Sequence, residues 1–399
     1  MKKIVTRVLV FLALFSVAFG LVGCKDKDEA DIKVGFLYIG VPGDEGFTYA
    51  HDSGRTEAIA ILAEEGINVE TVEIENVSDS DAAAAKEKIE NLIAQGCNLI
   101  FTTSYGYMDP TLEEATANPD VTFMHCSGYK TADNMGNYFG KIYQSRYITG
   151  VIAGMKFNEL VADGTLTEAE CKVGYVGAFP IAEVIRGLDA FTLGLQSVCP
   201  AATVEIKYTK TWYDPDTEYS TAKALIDDGC HMIAQHQDTT KPQVAAEEAY
   251  EAGKNVYCIG YHSDMAFRAT QSNLCSAVWN FGEYYASVIK SVYDGTWTTG
   301  SYWGGIETGI VGVTTNTDNE NLPANTQSVI DENIQEFKDG KVLFAGKIEV
   351  ASNVDSDGVA IEGVTEEDGK YYYDCGEGCD AGYLTGALNW YVAGVSVLD

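Results

Sequence analysis

The sequence predicts an α/β protein built as two doubly wound lobes of the same design. Three observations predict it. Short β-branched and aromatic runs alternate with helical patterns, which implies parallel sheets with right-handed crossovers. The alternation restarts part-way along the chain with matching residues. The composition, 46% hydrophobic and 21% charged over 399 residues, is that of globular units with large cores.

Residues 32–39 form a β-branched and aromatic run, and residues 48–65 carry a helical pattern. Residues 69–74 read as a strand, 81–95 as a helix and 99–103 as a strand. A helix over 110–117 and a strand over 121–125 follow. The pattern then recurs. Lys33-Val34-Gly35-Phe36 has its counterpart in Lys172-Val173-Gly174-Tyr175. Leu92-Ile93 with Gly96-Cys97 and Ile100 matches Leu225-Ile226 with Gly229-Cys230 and Ile233. The strand at Val121 recurs near Val256. The three offsets agree to within a few positions and keep the same order, which indicates a repeated unit.

The formal net charge is −33, from 26 basic and 59 acidic residues. Nucleic-acid binding and a polybasic membrane patch both need clustered Lys and Arg, so this balance argues against both. It favours a neutral or cationic ligand and says little about fold.

The first residues read as an address. Residues 1–7 are a short basic head, and residues 8–20 are an apolar run. That run is short for a membrane span and suits a secretory signal core. Leu21-Val22-Gly23-Cys24 resembles a bacterial lipobox. The expectation is a signal peptide over 1–23, a lipidated Cys24 and a polar tether over 24–31. Removing Lys2, Lys3 and Arg7 takes the charge from −33 to −36. No later segment has the roughly 20 apolar residues of a membrane helix, so the chain is expected to be anchored and not spanning. Nine Cys remain. Cys97, Cys230, Cys258 and Cys275 sit in or beside apolar strands as small hydrophobes. Cys375 and Cys379, in Cys-Gly-Glu-Gly-Cys, are the candidate disulfide. No metal or cofactor is expected.

Ligands of doubly wound sheets bind outside the carboxyl ends of the strands, and two facing lobes make a cleft there. The residues after each predicted strand are therefore the candidates. In the first lobe they are Asp44, Phe47, Thr48 and Tyr49, then Ser104 and Tyr105. In the second they are Phe179, Trp212, then His236 and Asp238, Tyr261 with Asp264, and Trp279 with Asn280. This set is rich in rings and carboxylates and poor in Lys and Arg. Rings stack on flat π systems and carboxylates accept from N–H or hydroxyl groups, so a flat, uncharged, hydrogen-bond-donating molecule fits. Duller roles compete. Phe179 and Trp279 also read as core residues, Asp44 as the cap of the following helix, and His51 as a helix-start histidine. His236 and Asp238, two apart, read as a polar loop.

Several stretches together resemble the basic membrane protein family, lipoproteins that serve as substrate-binding components of ABC importers, including purine nucleoside receptors. They are Gly43-Asp44-Glu45-Gly46-Phe47-Thr48-Tyr49-Ala50-His51-Asp52-Ser53-Gly54-Arg55, residues 143–154 (YQSRYITGVIAG) and residues 179–194 (FPIAEVIRGLDAFTLG). Residues 212–215, 235–239 and 389–395 extend the likeness over nearly all of the chain after the tether. The resemblance implies Rossmann-like lobes in a type I periplasmic-binding fold, with crossings near Gly128, His262 and Ala345. Lobe 1 is then 32–128 plus 263–345, and lobe 2 is 129–262 plus 346–399. It implies a purine base or nucleoside as ligand, an ABC permease as partner and a monomer. Phe47 matches the ring that stacks on the base, with Phe179 or Trp212 opposite. Asp264 matches the carboxylate that holds ribose hydroxyls. Ser276, three residues before Trp279, stands where nucleoside receptors carry a Lys, which points toward a free base. The stretch 354–379 is longer than usual.

Other classes of function compete. An enzyme needs an activated nucleophile or water. The chain has His51, Asp52, His236 and Asp238 but no GxSxG, HExxH or glycine-rich phosphate loop. A sensory lipoprotein needs the same closure as a transport protein, and a sugar-binding protein of the same fold uses the same rings and carboxylates.

Overall fold

The computed structural model describes residues 30–355 and 357–398. The expected leader, Cys24 and most of the tether lie outside the described residues. The first unit runs β1 (Ile32–Leu37), α1 (Phe47–Glu64), β2 (Val69–Ile74), α2 (Ala82–Ala94), β3 (Leu99–Thr102), α3 (Met108–Ala117), β4 (Thr122–Cys126) and β5 (Met135–Gly140). The second runs α4 (Ile142–Ala162), β6 (Lys172–Gly177), α5 (Ala182–Val198), β7 (Thr203–Tyr208), α6 (Pro215–Asp227), β8 (Met232–His236), α7 (Lys241–Glu251), β9 (Tyr257–His262) and β10 (Asn273–Trp279). Next come α8 (Gly282–Tyr293) and β11 (Ser301–Gly304), then β12 (Val311–Thr314) and α9 (Thr326–Lys338). The chain ends with β13 (Lys347–Val350), β14 (Val364–Glu367), β15 (Lys370–Asp374), α10 (Ala381–Gly386) and β16 (Val395–Leu398).

Every element expected over residues 32–125 forms, with ends within two residues of the expected ones. Local chemistry explains where they start. Asp81, for example, accepts from the Ala84 N–H at 3.0 Å and caps α2. Two large sheets result. One has the order β11-β5-β4-β3-β1-β2, and the other β12-β10-β9-β8-β6-β7-β16. Within them β2-β1-β3-β4-β5 and β7-β6-β8-β9-β10 repeat one order, so the sequence repeat is a structural repeat. The first sheet is parallel throughout. In the second, β12 alone pairs antiparallel, against β10. Helices cover both faces of these strands, so Val34, Phe36, Phe101, Val173, Tyr175 and Ile233 are all fully buried.

The lobe boundaries differ from those expected. Sheet membership puts the crossings between β5 and α4, between β10 and α8, and between β11 and β12. They do not fall near Gly128, His262 and Ala345. For the first crossing the fifth strand is the reason. Met135-Gly136-Asn137-Tyr138-Phe139-Gly140 has no β-branched residue, so it carries little strand signal. It nevertheless joins the first sheet by pairing with β4.

Two helices of the second lobe set the back of the cleft. α4 and α5 lie backbone to backbone. A Cβ on Gly150 would collide with the Phe191 carbonyl, and one on Gly194 with the Tyr147 carbonyl. This close crossing sets Arg146 of α4 against Gly187 of α5, the residue after Arg186.

Candidate functional site

A cavity of about 370 Å³ lies between the carboxyl ends of the two sheets, within the size range of small-molecule sites. Phe47, at the first turn of α1, and Phe139, at the end of β5, face it from lobe 1. Ser104 and Tyr105 follow β3 and also line it. From lobe 2 come Trp212, His236, Asp238 and Tyr261. Seven of the fourteen expected ligand residues are thus brought together.

The other seven stand outside the lining, each for a visible reason. Asp44 takes the capping role. Its carboxylate accepts from the Gly46, Thr48 and Tyr49 N–H groups at 2.8–3.0 Å. Burial outweighs those bonds and pushes its pKa up to about 6. Thr48 is buried in α1, and Tyr49 points to solvent. Phe179 backs Trp212 edge-on at 5.4 Å. Trp279 lies behind Phe139 at 4.8 Å, and Asn280 donates to the Gly309 carbonyl at the crossing between lobes. Asp264 is exposed and accepts from the Ala266 N–H in a local turn.

The cavity also holds groups outside that set of fourteen, among them His262, which the strand-end reading placed at the end of its strand. Glu183, Arg186 and His262 line it, with Ser127 and the stretch 385–389. Glu183 and Arg186 sit one turn apart at the start of α5, a few residues beyond β6. Their signal lay in the repeat, since they stand at the offsets of Asp44 and Phe47 in the first lobe. Arg186 corrects the expectation of a site poor in basic residues.

The lobe-2 wall is a buried charged network. Glu183 Oε1 lies 2.9 Å from His236 Nε2, which is also 3.2 Å from the Tyr261 hydroxyl. Burial works against the Glu183 carboxylate, but His236, Arg186 and Arg146 outweigh it and hold its pKa below the ordinary value. His236 is kept below its ordinary value by burial. We read the pair as an ionised Glu183 accepting from a neutral imidazole. Arg186 donates to the Leu384 carbonyl. Arg146 has no hydrogen-bond acceptor among the described residues and stacks 3.4 Å over the Tyr261 ring.

A second pair faces the cavity beside Phe47. Trp279 Nε1 donates to His262 Nδ1 at 3.0 Å. Indole nitrogen only donates, so Nδ1 is an acceptor and the ring proton of a neutral His262 sits on Nε2. Burial, with His236 and Arg146, holds His262 well below its ordinary pKa and fixes that neutral form. Nε2 lies 3.3 Å from Asp238 Oδ1 but lacks hydrogen-bond alignment. Asp238 is buried too, and that burial, with Asp44 and Glu218 nearby, drives its carboxyl well above the usual range. A donor and an acceptor are left with capacity toward the cavity, 5.0 Å from ring to ring between His262 and Phe47.

The lobes also touch at the cavity's rim. Glu45, in a left-handed conformation with φ 60°, pairs with Arg268, with Nε 2.6 Å from Oε2. Ser263 donates to the Glu45 carbonyl at 2.5 Å. Gly46 lies against the Asp238 carbonyl, where any Cβ would collide. These contacts describe a closed cleft.

Residues 31–350 match the family described as ABC transporter substrate-binding protein PnrA-like. The chain belongs to this family. It is 37% identical over 385 residues to a purine-binding protein of Brucella abortus, covering 96% of this chain and 98% of that one. It is also 37% identical over 280 residues to a putative ABC transporter glucose-binding protein of Haloferax volcanii, covering 70% of this chain and 66% of the other. A basic membrane protein B of Borreliella afzelii is 23% identical, over 81% of this chain and 94% of its own. Among solved structures, a solute-binding protein of an ABC transporter system from Conexibacter woesei superposes with a TM-score of 0.60 at 23% identity, covering 77% of this chain and 97% of its own. The fold is the two-lobed type I periplasmic-binding fold. The chain is a substrate-binding protein of the ABC-transporter type, a family of solute binders that work outside the cytoplasm with a permease partner. No helix among the described residues is long and apolar enough to cross a membrane.

Proposed function

We propose that the chain captures a purine base or nucleoside in the cavity between the lobes and delivers it to an ABC permease, tethered to the outer face of the cell membrane by lipid on Cys24. The observation that carries this reading is the Phe47 ring beside the Asp238–His262 pair. A flat heterocycle stacked on Phe47 presents its edge to a fixed donor and an acceptor with unmet capacity. Trp212 bounds it from the opposite lobe. The relative in Brucella abortus, named as purine-binding and matched over nearly its whole length, supports the same class. Ser276 in place of a Lys, with Asp264 exposed and outside the lining, favours a base over a nucleoside.

Contacts from both lobes make closure depend on ligand. Lobe-1 rings and lobe-2 polar groups meet the same molecule only when the cleft is shut, so binding shifts the population toward the closed form. That form is the one a permease would recognise.

A sugar is the second reading. The Glu183–His236–Arg186 group offers hydroxyls both donors and acceptors, and one 37%-identical relative is named as putatively glucose-binding. A thermal-shift screen of purine bases, nucleosides and simple sugars separates the two. A ligand at about 100 times its Kd stabilises the native state by about 2.7 kcal/mol. A shift with purines is expected. A shift with sugars alone would overturn the purine assignment and leave the fold intact.

A further inference from the structure

The family match ends at residue 350, yet the chain beyond it comes back to the ligand cavity. Residues 385–389, from the end of α10 into the segment just beyond it, form one of its walls. This wall is held from behind. Arg186, itself lining the cavity, donates to the Leu384 carbonyl. Tyr373 of β15 stacks on Tyr383 at 5.5 Å and on Trp390 at 5.3 Å, and Trp390 Nε1 donates to the Tyr383 hydroxyl at 2.9 Å.

The wall has a single root in sequence. β15 is followed at once by Cys375-Gly-Glu-Gly-Cys379, and Asp380 then caps α10 by accepting from the Tyr383 N–H at 2.9 Å. The turn doubles back through Gly376 and Gly378, at φ 58° and 156°. Backbone bonds of 2.8 Å from Cys375 N–H to the Gly346 carbonyl and from Cys379 N–H to the Phe344 carbonyl seat both ends on the chain before β13. The structure carries the two as free thiols, not as the expected disulfide, with their Sγ atoms 2.7 Å apart. Cys375 is buried and Cys379 half-buried, so an oxidant approaches through Cys379.

We propose that Cys375 and Cys379 are joined as a disulfide in the working protein and that this bridge fixes the C-terminal wall of the ligand cavity. The second half rests on reading the cavity as the ligand site. In forming the bond the two thiols give up two electrons and two protons to a disulfide oxidant, protein or small-molecule, which leaves as two thiols. An extracytoplasmic compartment keeps such bonds. The ring closed is short, so it removes little entropy from the unfolded chain. Its effect is local. It pins the turn from which α10 departs, and without it the wall opens more readily than the body of the lobe.

The test uses the full chain purified without reductant. Alkylation under denaturing conditions followed by peptide mass analysis is expected to show 375 and 379 unalkylated and linked, lighter than the dithiol by two hydrogens. Full alkylation of both would overturn the bridge. Adenine, hypoxanthine and their nucleosides are then titrated into the native chain and into the Cys375→Ser/Cys379→Ser variant. Ordering a loop at binding typically costs enough to weaken affinity about tenfold in the variant. Amide exchange over 385–389, which needs no ligand, is expected to speed up in the variant while the core strands stay protected. A linked pair whose loss changes neither exchange nor affinity would overturn the role of the wall. If no purine binds either form, the purine reading fails, and mass and exchange still decide the bridge and the wall.

Discussion

Asp44 and Glu183 stand at the same distance after Lys33 and Lys172, the matching starts of the repeated unit. The repeat thus puts an acid at the same offset in each lobe, and the two acids behave oppositely. Asp44 turns inward to three N–H groups at the start of α1, and burial raises its pKa to about 6. Glu183 lies within the first turn of α5, faces the cavity and is held ionised below its ordinary value against the cost of burial. Three residues on, lobe 1 has Phe47 and lobe 2 has Arg186, and both line the cavity. A repeated backbone supplies repeated positions. Their chemistry is set by the groups around them, which for Glu183 include His236 and the charges of Arg186 and Arg146.

The largest expected effect breaks the network in lobe 2. Glu183→Gln removes the nearby negative charge that offsets two buried guanidinium groups and breaks the bond to His236, and should lower unfolding free energy by about 3–5 kcal/mol in urea melts. Asp44→Asn should cost only about 1 kcal/mol, as a lost cap. Their pH dependence should run in opposite senses. A raised native pKa means Asp44 stabilises most below its unfolded value near 3.8 and loses that stabilisation as pH rises through about 6. The Asn variant's deficit, about 1 kcal/mol at pH 4, should therefore shrink at up to about 1.4 kcal/mol per unit and be gone by pH 6. A lowered native pKa means Glu183 stabilises above about 4.5, so the Gln variant's deficit should shrink as pH falls below that. Parallel pH profiles for the two variants would erase the contrast.

Next in size is the ring from lobe 1. Phe47→Ala should weaken purine binding by about 1–3 kcal/mol, the range for stacking a base on an aromatic side chain, with little effect on folding. Calorimetric titration reads it. A smaller effect follows from the rim. Arg268→Ala removes an exposed ion pair to Glu45 that forms only when the lobes meet, and should weaken affinity by less than about fivefold, less still at high salt. The smallest effect is none. Asp264→Ala should leave affinity unchanged, because its carboxylate is exposed and outside the lining. A tenfold loss there would return a ribose-binding role to Asp264 and reopen the choice of base over nucleoside.

The legible part of the site followed one rule, that ligands sit at strand carboxyl ends. It located Phe47, Ser104, Tyr105, Trp212, His236, Asp238 and Tyr261. It stopped at Phe179 in lobe 2 and so missed Glu183 and Arg186, which stand at the repeat offsets of Asp44 and Phe47, and it missed Phe139 because β5 has no strand signature. It selected Trp279 and Asn280 because they end β10, where the chain in fact leaves for the other lobe.

By itself the sequence determined the class of fold, the repeat and the ends of most elements in the first unit. These depend on local periodicity and caps, which neighbouring residues fix. Only the tertiary structure decided where the lobes exchange chain, which acids cap and which face the cavity, and that residues 385–389 wall that cavity. Those outcomes depend on the α4–α5 crossing and on residues far apart in the chain, such as Arg186 and Leu384, whose meeting no local pattern encodes.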